Sequence, residues 1–429
     1  MHEAQPREPD TGRFGTHVRT AASPPAAPPT PPSAAQTLPK LEWQEEVWEG
    51  AQIAAIGPAA TRLSSYGARY KSAIAPNIAD LNIQLDREVA LLGREAELEL
   101  ARFDAEAGGR LAAFGPILLR SEAASSSQIE NLSASARQIF TAEAGGKGTP
   151  NAANIAANTS AMIEAIDLAF EIDADAARKM HRTLMQGQPQ HTPGQYRTEP
   201  VWIGTRAESP IGAAYVAPNY LRVPELMADL SAYVARTDIA PFEQVAIAHA
   251  QFETIHPFTD GNGRTGRALA QVMLRRSQVT RNVVVPVSAG LLADVEGYHR
   301  ALTAYRQGDP NPIVQSFAAA SLRAVPNGRQ LVTDLETISD TWSTSAKPRQ
   351  GSVKERVLAY ALTRPVFTAE QISAELGLPA SNVYRYLQEL RDLHVLRMSV
   401  EHRGPRVWRA PSVLDAIDAF AARAGRRSA

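Results

Sequence analysis

The sequence of 429 residues contains no cysteine, which excludes disulfide bridges, thiolate metal ligands and thiol nucleophiles. Aromatic residues make up only 6% of the chain, and the formal net charge is −1, so the chain as a whole is not drawn to nucleic acid or membrane. No run reaches 18 apolar residues, and the polar start of the chain does not resemble a signal peptide. We therefore expect a cytoplasmic protein without a membrane span.

The length predicts two or three domains, and the 44% of apolar residues is ordinary for a globular protein. Residues 1–40 are predicted to be a disordered leader, because 21–39 is rich in alanine, proline and serine. This leader is either a spacer or a ligand for a proline-binding domain. Beyond it, helical spacing dominates from Trp43 onward. We divide the rest into a helical region, a central core, a helical connection and a C-terminal domain, over 41–145, 146–325, 326–349 and 350–429.

Twelve residues, 256–267, concentrate chemically active side chains in the order His-Pro-Phe-Thr-Asp-Gly-Asn-Gly-Arg-Thr-Gly-Arg. Pro257 has no N–H and restricts the residue before it, so a helix should end at His256 with the imidazole at a cleft. Gly261 and Gly263 permit positive φ and close approach of the backbone to an anion. The helix predicted to follow would present its N-terminus, which favours phosphate.

The charged side chains of the same run are typical of a polyphosphate site. Arg264 and Arg267 are three residues apart and share one face of the predicted helix. Asp260 precedes the glycine loop, where a carboxylate can join phosphate oxygens in holding Mg²⁺. With His256 as a candidate base, these residues suit a site that holds a polyphosphate on Mg²⁺ and deprotonates an attacking group.

A competing interpretation is a metal site on the preceding helix. His249, Glu253 and His256 lie at i, i+4 and i+7 and share one helical face. Their order differs from the His-Glu-x-x-His zinc motif, and no further ligand is evident.

The run 256–267 resembles the signature of Fic domains, His-x-Phe-x-(Asp/Glu)-Gly-Asn-Gly-Arg-x-x-Arg, with every fixed position filled. The resemblance covers roughly residues 41–325 and implies a mainly α fold, with an all-helical core and a β-hairpin flap. Most members of the family transfer AMP from ATP to a protein hydroxyl. The strands of the flap are expected in two segments that include Val201, Trp202, Ile203 and Gly204, and Tyr215 and Val216.

A second segment resembles the inhibitory motif of Fic proteins, (Ser/Thr)-x-x-x-Glu-(Gly/Asn). It runs from Ser126 to Asn131, within a helix predicted over 117–140, and it precedes the signature. By this resemblance, Glu130 pairs with Arg267, the arginine that would otherwise hold the γ-phosphate. Such a carboxylate–guanidinium pair is bidentate and charge-assisted. The alternative is a surface helix with a solvated glutamate.

The resemblance also implies roles for the residues of the signature. His256 is the general base for the attacking hydroxyl, Asp260 binds Mg²⁺ at the α- and β-phosphates, and Asn262 holds the phosphates together with the loop amides. Arg264 meets the β-phosphate and Arg267 the γ-phosphate. The flap would take an extended stretch of the target by strand addition.

Three further aromatic side chains have expected positions in or near the site. We expect Phe258 to pack inward and anchor the loop. Tyr298 and Tyr305 lie on a helix predicted over 293–306, and they either line the adenine pocket or pack in the core.

The C-terminal part, about residues 350–411, resembles a winged helix-turn-helix domain. Thr368 starts a capping box, Gly377 stops that helix, and two alternating segments flank Gly404-Pro405 as a hairpin. Residues 385–429 contain nine arginines and five acids, a net charge of +4. DNA or a protein partner, including a second copy of the chain, could bind here. The candidate DNA contacts are Ser381, Asn382, Tyr384, Arg385, Arg403 and Arg406.

The sequence thus favours an autoinhibited protein adenylyltransferase that uses ATP and Mg²⁺. Its target would be a Ser, Thr or Tyr hydroxyl of another protein or of itself. Two alternatives stay open. One is a DNA-binding winged-helix regulator whose Fic core senses nucleotide. The other is a Fic enzyme that removes AMP, with Glu130 orienting a water, or that transfers another phosphate-linked group.

Overall fold

The computed structural model of the protein describes residues 37–49, 67–110, 112–167, 173–204, 208–400 and 406–425. Most of the predicted leader lies outside these ranges. Its last residues pack against the body, because Leu38 is buried and the N–H of Leu41 donates to the Arg306 carbonyl at 2.9 Å. The expectation of disorder is therefore wrong for residues 37–40.

The first regular structure in the described residues is a β-hairpin, although helices were expected to dominate from Trp43 onward. Strands β1 (Glu42–Val47) and β2 (Arg69–Ile74) pair in antiparallel register. Glu46 lies opposite Tyr70 and accepts hydrogen bonds from the Tyr70 hydroxyl and from Ser72. These cross-strand hydrogen bonds stabilise the hairpin. The two-residue periodicity of its strands was not recognised in the sequence.

The body of the molecule is helical, which confirms the predicted mainly α class. Eleven helices form it within the described residues, joined by short connections that include a two-stranded flap. In chain order the helices are α1 (Arg87–Arg110), α2 (Gly115–Ile129), α3 (Ala136–Glu143), α4 (Pro150–Asp167), α5 (Ala174–Leu184), α6 (Val223–Ala235), α7 (Pro241–Ile255), α8 (Asn262–Arg276), α9 (Val287–Leu292), α10 (Val295–Arg306) and α11 (Asn311–Ala346).

Several predicted helix bounds are wrong. The helix predicted over 117–140 is two helices, because Asn131 has φ +60° and the chain reverses before Ser135 caps α3. Helix α11 has 36 residues and runs through both the predicted core boundary at residue 325 and the predicted connection after it. Its Pro326 lies inside the helix without ending it. Packing of α11 against α1 outweighs the cost of the proline.

Helices α7 and α8 are the central elements, and they carry the signature between them. From Phe242 to Ile255 nearly every residue of α7 is buried, and α8 is buried from Arg264 to Leu274. A helix that is covered on all sides can hold polar side chains only if each finds a partner or a ligand. The loop between α7 and α8 is thus fixed at both ends by the core.

The C-terminal residues form a compact helix–sheet unit. The elements are α12 (Val353–Thr363), β5 (Val366–Thr368), α13 (Ala369–Leu376), α14 (Ala380–Asp392), β6 (Arg397–Val400), β7 (Arg406–Arg409) and α15 (Pro411–Arg423). The strands form an antiparallel sheet in the order β5-β7-β6. This order is typical of a winged helix-turn-helix. The capping box at Thr368 and the left-handed stop at Gly377 are confirmed.

Helix α15, expected only as a tail, joins the C-terminal unit to the body. The carboxylate of Asp418 accepts the N–H of Ala136 at the start of α3, at 3.0 Å. On the other side, the Asn327 amide of α11 donates to the Phe420 carbonyl at 3.2 Å. The two units therefore share a packed and hydrogen-bonded contact. None of the described helices is both long and apolar enough to cross a bilayer.

A close approach of α9 and α11 gives a stability prediction. A Cβ added at Gly290 would collide with the carbonyl of Ala320, so Gly290→Ala should lower the free energy of unfolding by about 1–3 kcal/mol. Gly187 has open space around it and is the matched control. Gly187→Ala should stay within about 0.5 kcal/mol of the wild type in thermal or denaturant unfolding. Equal midpoints for the two variants would contradict the close contact.

Candidate functional site

His256 ends helix α7 in an unusual backbone conformation. Its φ is +52°, in the left-handed region, while its N–H still donates to Phe252 O at 2.9 Å. The following Pro257 prevents the helix from continuing. The guanidinium of Arg197 fixes the turn by donating to the His256 carbonyl at 2.8 Å. The side chain keeps 24% exposure, so the imidazole faces the outside of a rigid turn.

Asn262 braces the loop from within. Its side-chain oxygen accepts the Phe258 N–H at 2.9 Å, and its NH₂ group donates to the Phe258 carbonyl at 2.8 Å. The residue is 1% exposed, so both ends of the amide are occupied inside the loop. The side-chain amide therefore braces the loop, and the assignment of Asn262 to the phosphates, together with the loop amides, stays a prediction. The expected inward packing of Phe258 is confirmed, since it is fully buried.

His181, on α5, positions the loop, although sequence reasoning did not single it out. Its ring stacks on Phe258 with 3.8 Å between the centroids. Nδ1 accepts the Gly194 N–H at 3.0 Å, so the proton of the neutral ring is on Nε2, which lies 3.1 Å from the Asp260 carbonyl. Burial lowers the pKa of His181 to about 4 and keeps it neutral. A lone histidine in a helix gave no sequence signal for these tertiary contacts.

Arg264 is a buried cation with two hydrogen-bond donors that lack an acceptor among the described residues. It is 3% exposed, and its Nε and Nη1 find no hydrogen-bond acceptor within the described structure. Its Nη2 lies 3.6 Å from the half-exposed carboxylate of Asp260. Buried guanidinium donors without acceptors are costly, so this geometry favours an incoming group with several negative oxygens.

Arg267 already has its partners. Its Nη2 donates to the Glu130 carboxylate and to the Ser126 carbonyl, both at 2.8 Å, while its Nε donates to the Ser126 hydroxyl at 2.9 Å. The guanidinium is 2% exposed, whereas the Glu130 side chain is 40% exposed. Helix α2 therefore offers the arginine one carboxylate, one hydroxyl and one carbonyl from its last turn.

The Glu130 carboxylate also lies against the first turn of α8. A Cβ added at Gly263 would collide with it, so glycine is needed for this approach. Partial burial acts to raise the pKa of Glu130, but the Arg267 guanidinium outweighs burial and lowers that pKa below its usual value. The acid is therefore ionised at neutral pH, and it occupies the anion-favouring helix N-terminus predicted for phosphate.

Further contacts hold helix α2 in this position. Its Glu122 carboxylate accepts the Ser288 N–H at 2.8 Å and the Ser288 hydroxyl at 2.6 Å. The Asn158 amide donates to the Ala123 carbonyl at 2.8 Å. After Glu130, Asn131 adopts φ +60° and ends the helical run, which leaves the glutamate on the last turn. These buried contacts fix the depth at which Glu130 reaches the loop.

His256 is neutral at physiological pH. Burial, together with the positive charges of Arg306 and Arg197, lowers the pKa of its imidazole to about 4. Its Nδ1 lies 3.8 Å from the Glu253 carboxylate, on the protein side of the ring. A neutral imidazole can accept a proton, which is the protonation state that a general base needs.

The competing metal site at His249, Glu253 and His256 is not formed. His249 Nε2 instead lies 2.7 Å from the Tyr298 hydroxyl, deep in the core. Burial raises the pKa of Glu253 to about 7, which makes it a poor anionic ligand. Within the described ranges, no group of three or more histidine, aspartate and glutamate side chains is arranged to hold a metal ion.

The flap is a short antiparallel hairpin of β3 (Trp202–Ile203) and β4 (Tyr215–Val216). At one end the backbone pairing continues to Val201, whose carbonyl accepts the Ala217 N–H at 3.0 Å. Ile203 and Gly204 are exposed, whereas Tyr215 and Val216 are buried. The side chains of β4 therefore anchor the flap to the body, and only β3 faces outward.

The two tyrosines considered for an adenine pocket belong to the core. Tyr298 and Tyr305 are each 2% exposed. The Tyr305 hydroxyl donates to the Gln251 side chain at 3.0 Å, and Tyr298 contacts His249 as described above. The core interpretation holds for both.

The candidate DNA contacts share one end of helix α14 and the sheet next to it. Ser381, Asn382 and Arg385 are exposed, and Tyr384 packs edge-on against Trp408. Arg406 is exposed at the start of β7, and Arg403 lies outside the described residues. Contact with DNA stays a prediction for this group.

Comparison with known proteins identifies relatives of the central part of the chain. Residues 171–274 match the family model described as Fic/DOC family. The protein adenylyltransferase fic-1 of Caenorhabditis elegans is 28% identical over 190 residues, which cover 44% of this chain and 35% of the relative. The protein of the same name from Caenorhabditis briggsae is 31% identical over 151 residues, with coverages of 35% and 27%. The matched part thus spans about a third of these relatives' length.

Two solved structures also match parts of this chain, each with a TM-score below 0.5. A Fic family protein from Desulfovibrio desulfuricans G20 is 24% identical, covering 76% of this chain and 97% of that one, with a TM-score of 0.47. Residues 134–508 of C. elegans Fic-1 are 22% identical, with coverages of 56% and 72% and a TM-score of 0.42.

The family match includes the signature loop, all of α7 and α8 up to residue 274, and the two curated relatives share one name. The chain therefore contains a Fic domain, and its homologues are Fic-family protein adenylyltransferases.

Proposed function

We propose that the chain is an autoinhibited protein adenylyltransferase, which transfers AMP from ATP to a hydroxyl side chain of a protein. One observation carries the proposal: at the start of α8, the buried Arg264 has two donors without an acceptor in the described part of the chain, and the neighbouring Arg267 is already paired with the ionised Glu130. The names of the relatives support the choice of AMP as the transferred group.

The arginines and the helix terminus are suited to the phosphates of ATP. Arg264 has unpaired Nε and Nη1 donors, which we assign to the β-phosphate. Gly261, with φ +75°, is the N-cap of α8, and we assign the N–H groups of the first turn of this helix to the same phosphates. Once Glu130 has left, Arg267 binds the γ-phosphate. Negative charge on the leaving pyrophosphate is then stabilised by donors that the fold has already oriented.

Asp260 is suited to a Mg²⁺ ion carried by the nucleotide. Its carboxylate is 45% exposed at the mouth of the loop, and Mg²⁺ usually takes only one or two carboxylates together with phosphate oxygens and water. Bound there, Mg²⁺ would neutralise phosphate charge. The Asp260 carboxylate also accepts the Gly261 N–H at 2.7 Å, which keeps it at the loop.

His256 is assigned as the general base and β3 as the docking edge. The neutral imidazole takes the proton of the attacking hydroxyl, the oxygen bonds to the α-phosphorus, and pyrophosphate leaves with the electrons of the broken P–O bond. Target backbone adds to the outward strand at Ile203 by strand pairing, which brings its hydroxyl to the loop. Backbone pairing is largely independent of side chains, so it does not select a target sequence.

Inhibition follows from competition for one guanidinium. The Glu130 carboxylate and the γ-phosphate cannot occupy the same side of Arg267, and their like charges repel. A charge-assisted hydrogen bond contributes about 1.5–3 kcal/mol, which is enough to reduce occupancy by a nucleotide about tenfold or more. The side chain is partly exposed, so it can leave the pocket without unfolding α2.

The first prediction concerns this competition. Glu130→Gly should raise the Mg²⁺-dependent transfer of label from α-labelled ATP to protein about tenfold, because Arg267 loses its internal anion. Adding His256→Ala should reduce that transfer by about 10²–10⁴-fold, with ATP binding retained. Intact-mass analysis with ATP and Mg²⁺ measures both the transfer and self-modification.

Two controls separate charge from shape. Glu130→Gln keeps the size of the side chain and removes its charge, so an intermediate rate is expected. Glu225→Gly removes an exposed glutamate from α6 and should leave transfer unchanged. Equal labelling by the wild type and Glu130→Gly would refute autoinhibition. Loss of AMP from a loaded target that requires Glu130 would instead favour the removal reaction.

The second prediction concerns pH. Because the pKa of His256 is lowered to about 4, the base stays deprotonated well below the usual histidine range. In the Glu130→Gly variant, kcat/KM should therefore be level between pH 6 and 8 and should fall only as pH drops toward about 4. Removal of Glu130 takes away a negative charge that raises this pKa, so the shift persists. An acid limb centred near pH 6.5 would contradict the assignment.

A further inference from the structure

A second side chain faces Asp260 from outside the signature. His191 lies in a short helical turn (Pro189–His191) between α5 and the flap. Its Nε2 is 3.9 Å from the Asp260 carboxylate, and the two side chains are 30% and 45% exposed. An imidazole and a carboxylate that share an open space are a typical pair of metal ligands.

The turn that carries His191 is fastened to the signature loop. The Thr259 hydroxyl donates to the His191 carbonyl at 3.2 Å. The next residue, Thr192, has φ +46°, a left-handed conformation that is costly for a β-branched side chain, by about 1–3 kcal/mol. Two residues later, the Gly194 N–H is held by His181, which also contacts Asp260. Such strain persists where the surrounding structure requires one arrangement.

Asp260 also lies between the Arg264 guanidinium and the His191 imidazole. Arg264 Nη2 lies 3.6 Å from the Asp260 Oδ2 atom, which is the same oxygen that faces His191. Under the proposed function, the guanidinium turns to phosphate when the nucleotide binds. The carboxylate then has one side-chain neighbour left on this face, and that neighbour is the His191 imidazole.

We propose that His191 is a second protein ligand of the divalent cation that Asp260 and the nucleotide phosphates hold. The proposal rests on the proposed function, because the nucleotide supplies the remaining ligands. Neighbouring ligands of an octahedral ion are about 3 Å apart, so the partly exposed imidazole moves about 1 Å closer when the ion arrives. A nitrogen ligand favours Mn²⁺ and later transition metals over Mg²⁺, which prefers oxygen.

Pulsed electron paramagnetic resonance of bound Mn²⁺ tests this directly. The full-length Glu130→Gly protein, grown with ¹⁵N-histidine or with ordinary histidine, is mixed with ATP and Mn²⁺. A ligating imidazole adds a nitrogen modulation to the Mn²⁺ signal, and that modulation changes with the isotope. It should be present in the Glu130→Gly protein and lost on His191→Ala.

The matched control removes a histidine from the C-terminal unit. His394 is exposed, with φ +60°, a conformation that asparagine tolerates, so His394→Asn should keep both the fold and the modulation. Mn²⁺·ATP bound without any histidine modulation would overturn the role of His191 and leave the proposed function intact. Modulation that survives His191→Ala would also overturn it. No Mn²⁺ bound with ATP would overturn both.

Discussion

The site depends on the charge of one buried arginine. Arg267 is almost completely enclosed, and a guanidinium in that position requires an anion and several acceptors. Helix α2 supplies all of them from one turn, through Ser126 and Glu130. Under the proposed function, the terminal phosphate of a nucleotide would meet the same demand. Glu130 and the phosphate would then be two mutually exclusive partners of one cation.

The loop beside Arg267, for which Glu130 and a nucleotide phosphate would compete, is rigid. Asn262 and His181 hold Phe258 and Asp260 through short hydrogen bonds and ring stacking, and Arg197 fixes the His256 turn. Because these groups are buried and paired, the proposed function predicts that the loop keeps its shape when a phosphate replaces the Glu130 carboxylate. Binding energy is then not consumed in ordering the backbone.

The helix that carries Glu130 also contacts parts of the molecule other than the signature loop. Glu122 ties it to α9, and the following helix α3 begins with an N–H bonded to Asp418 of α15. The C-terminal unit therefore contacts the helix that follows the segment carrying Glu130. The partial exposure of the Glu130 side chain allows it to move while these buried contacts stay in place.

Much of this site could be predicted from the sequence because it depends on local chemistry. The proline after His256, the glycines of the loop and the spacing of Arg264 and Arg267 each restrict the backbone or place charges on one face, whatever the rest of the chain does. The capping box at Thr368 is local in the same way. The Glu130–Arg267 pair was implied by the family resemblance. Other contacts between residues far apart in sequence could not be predicted.

Long-range packing set the remaining features, because each depends on partners far away in sequence. The β1–β2 hairpin forms in a part of the chain where helices were expected to dominate, and Glu46 stabilises it through hydrogen bonds with Tyr70 and Ser72. Asn262 turned inward to brace Phe258, and burial placed Tyr298 in the core. The sequence alone could specify the types of charged groups and their local spacing. Folding determined which of them are buried, since desolvation and pairing depend on what surrounds each side chain in three dimensions.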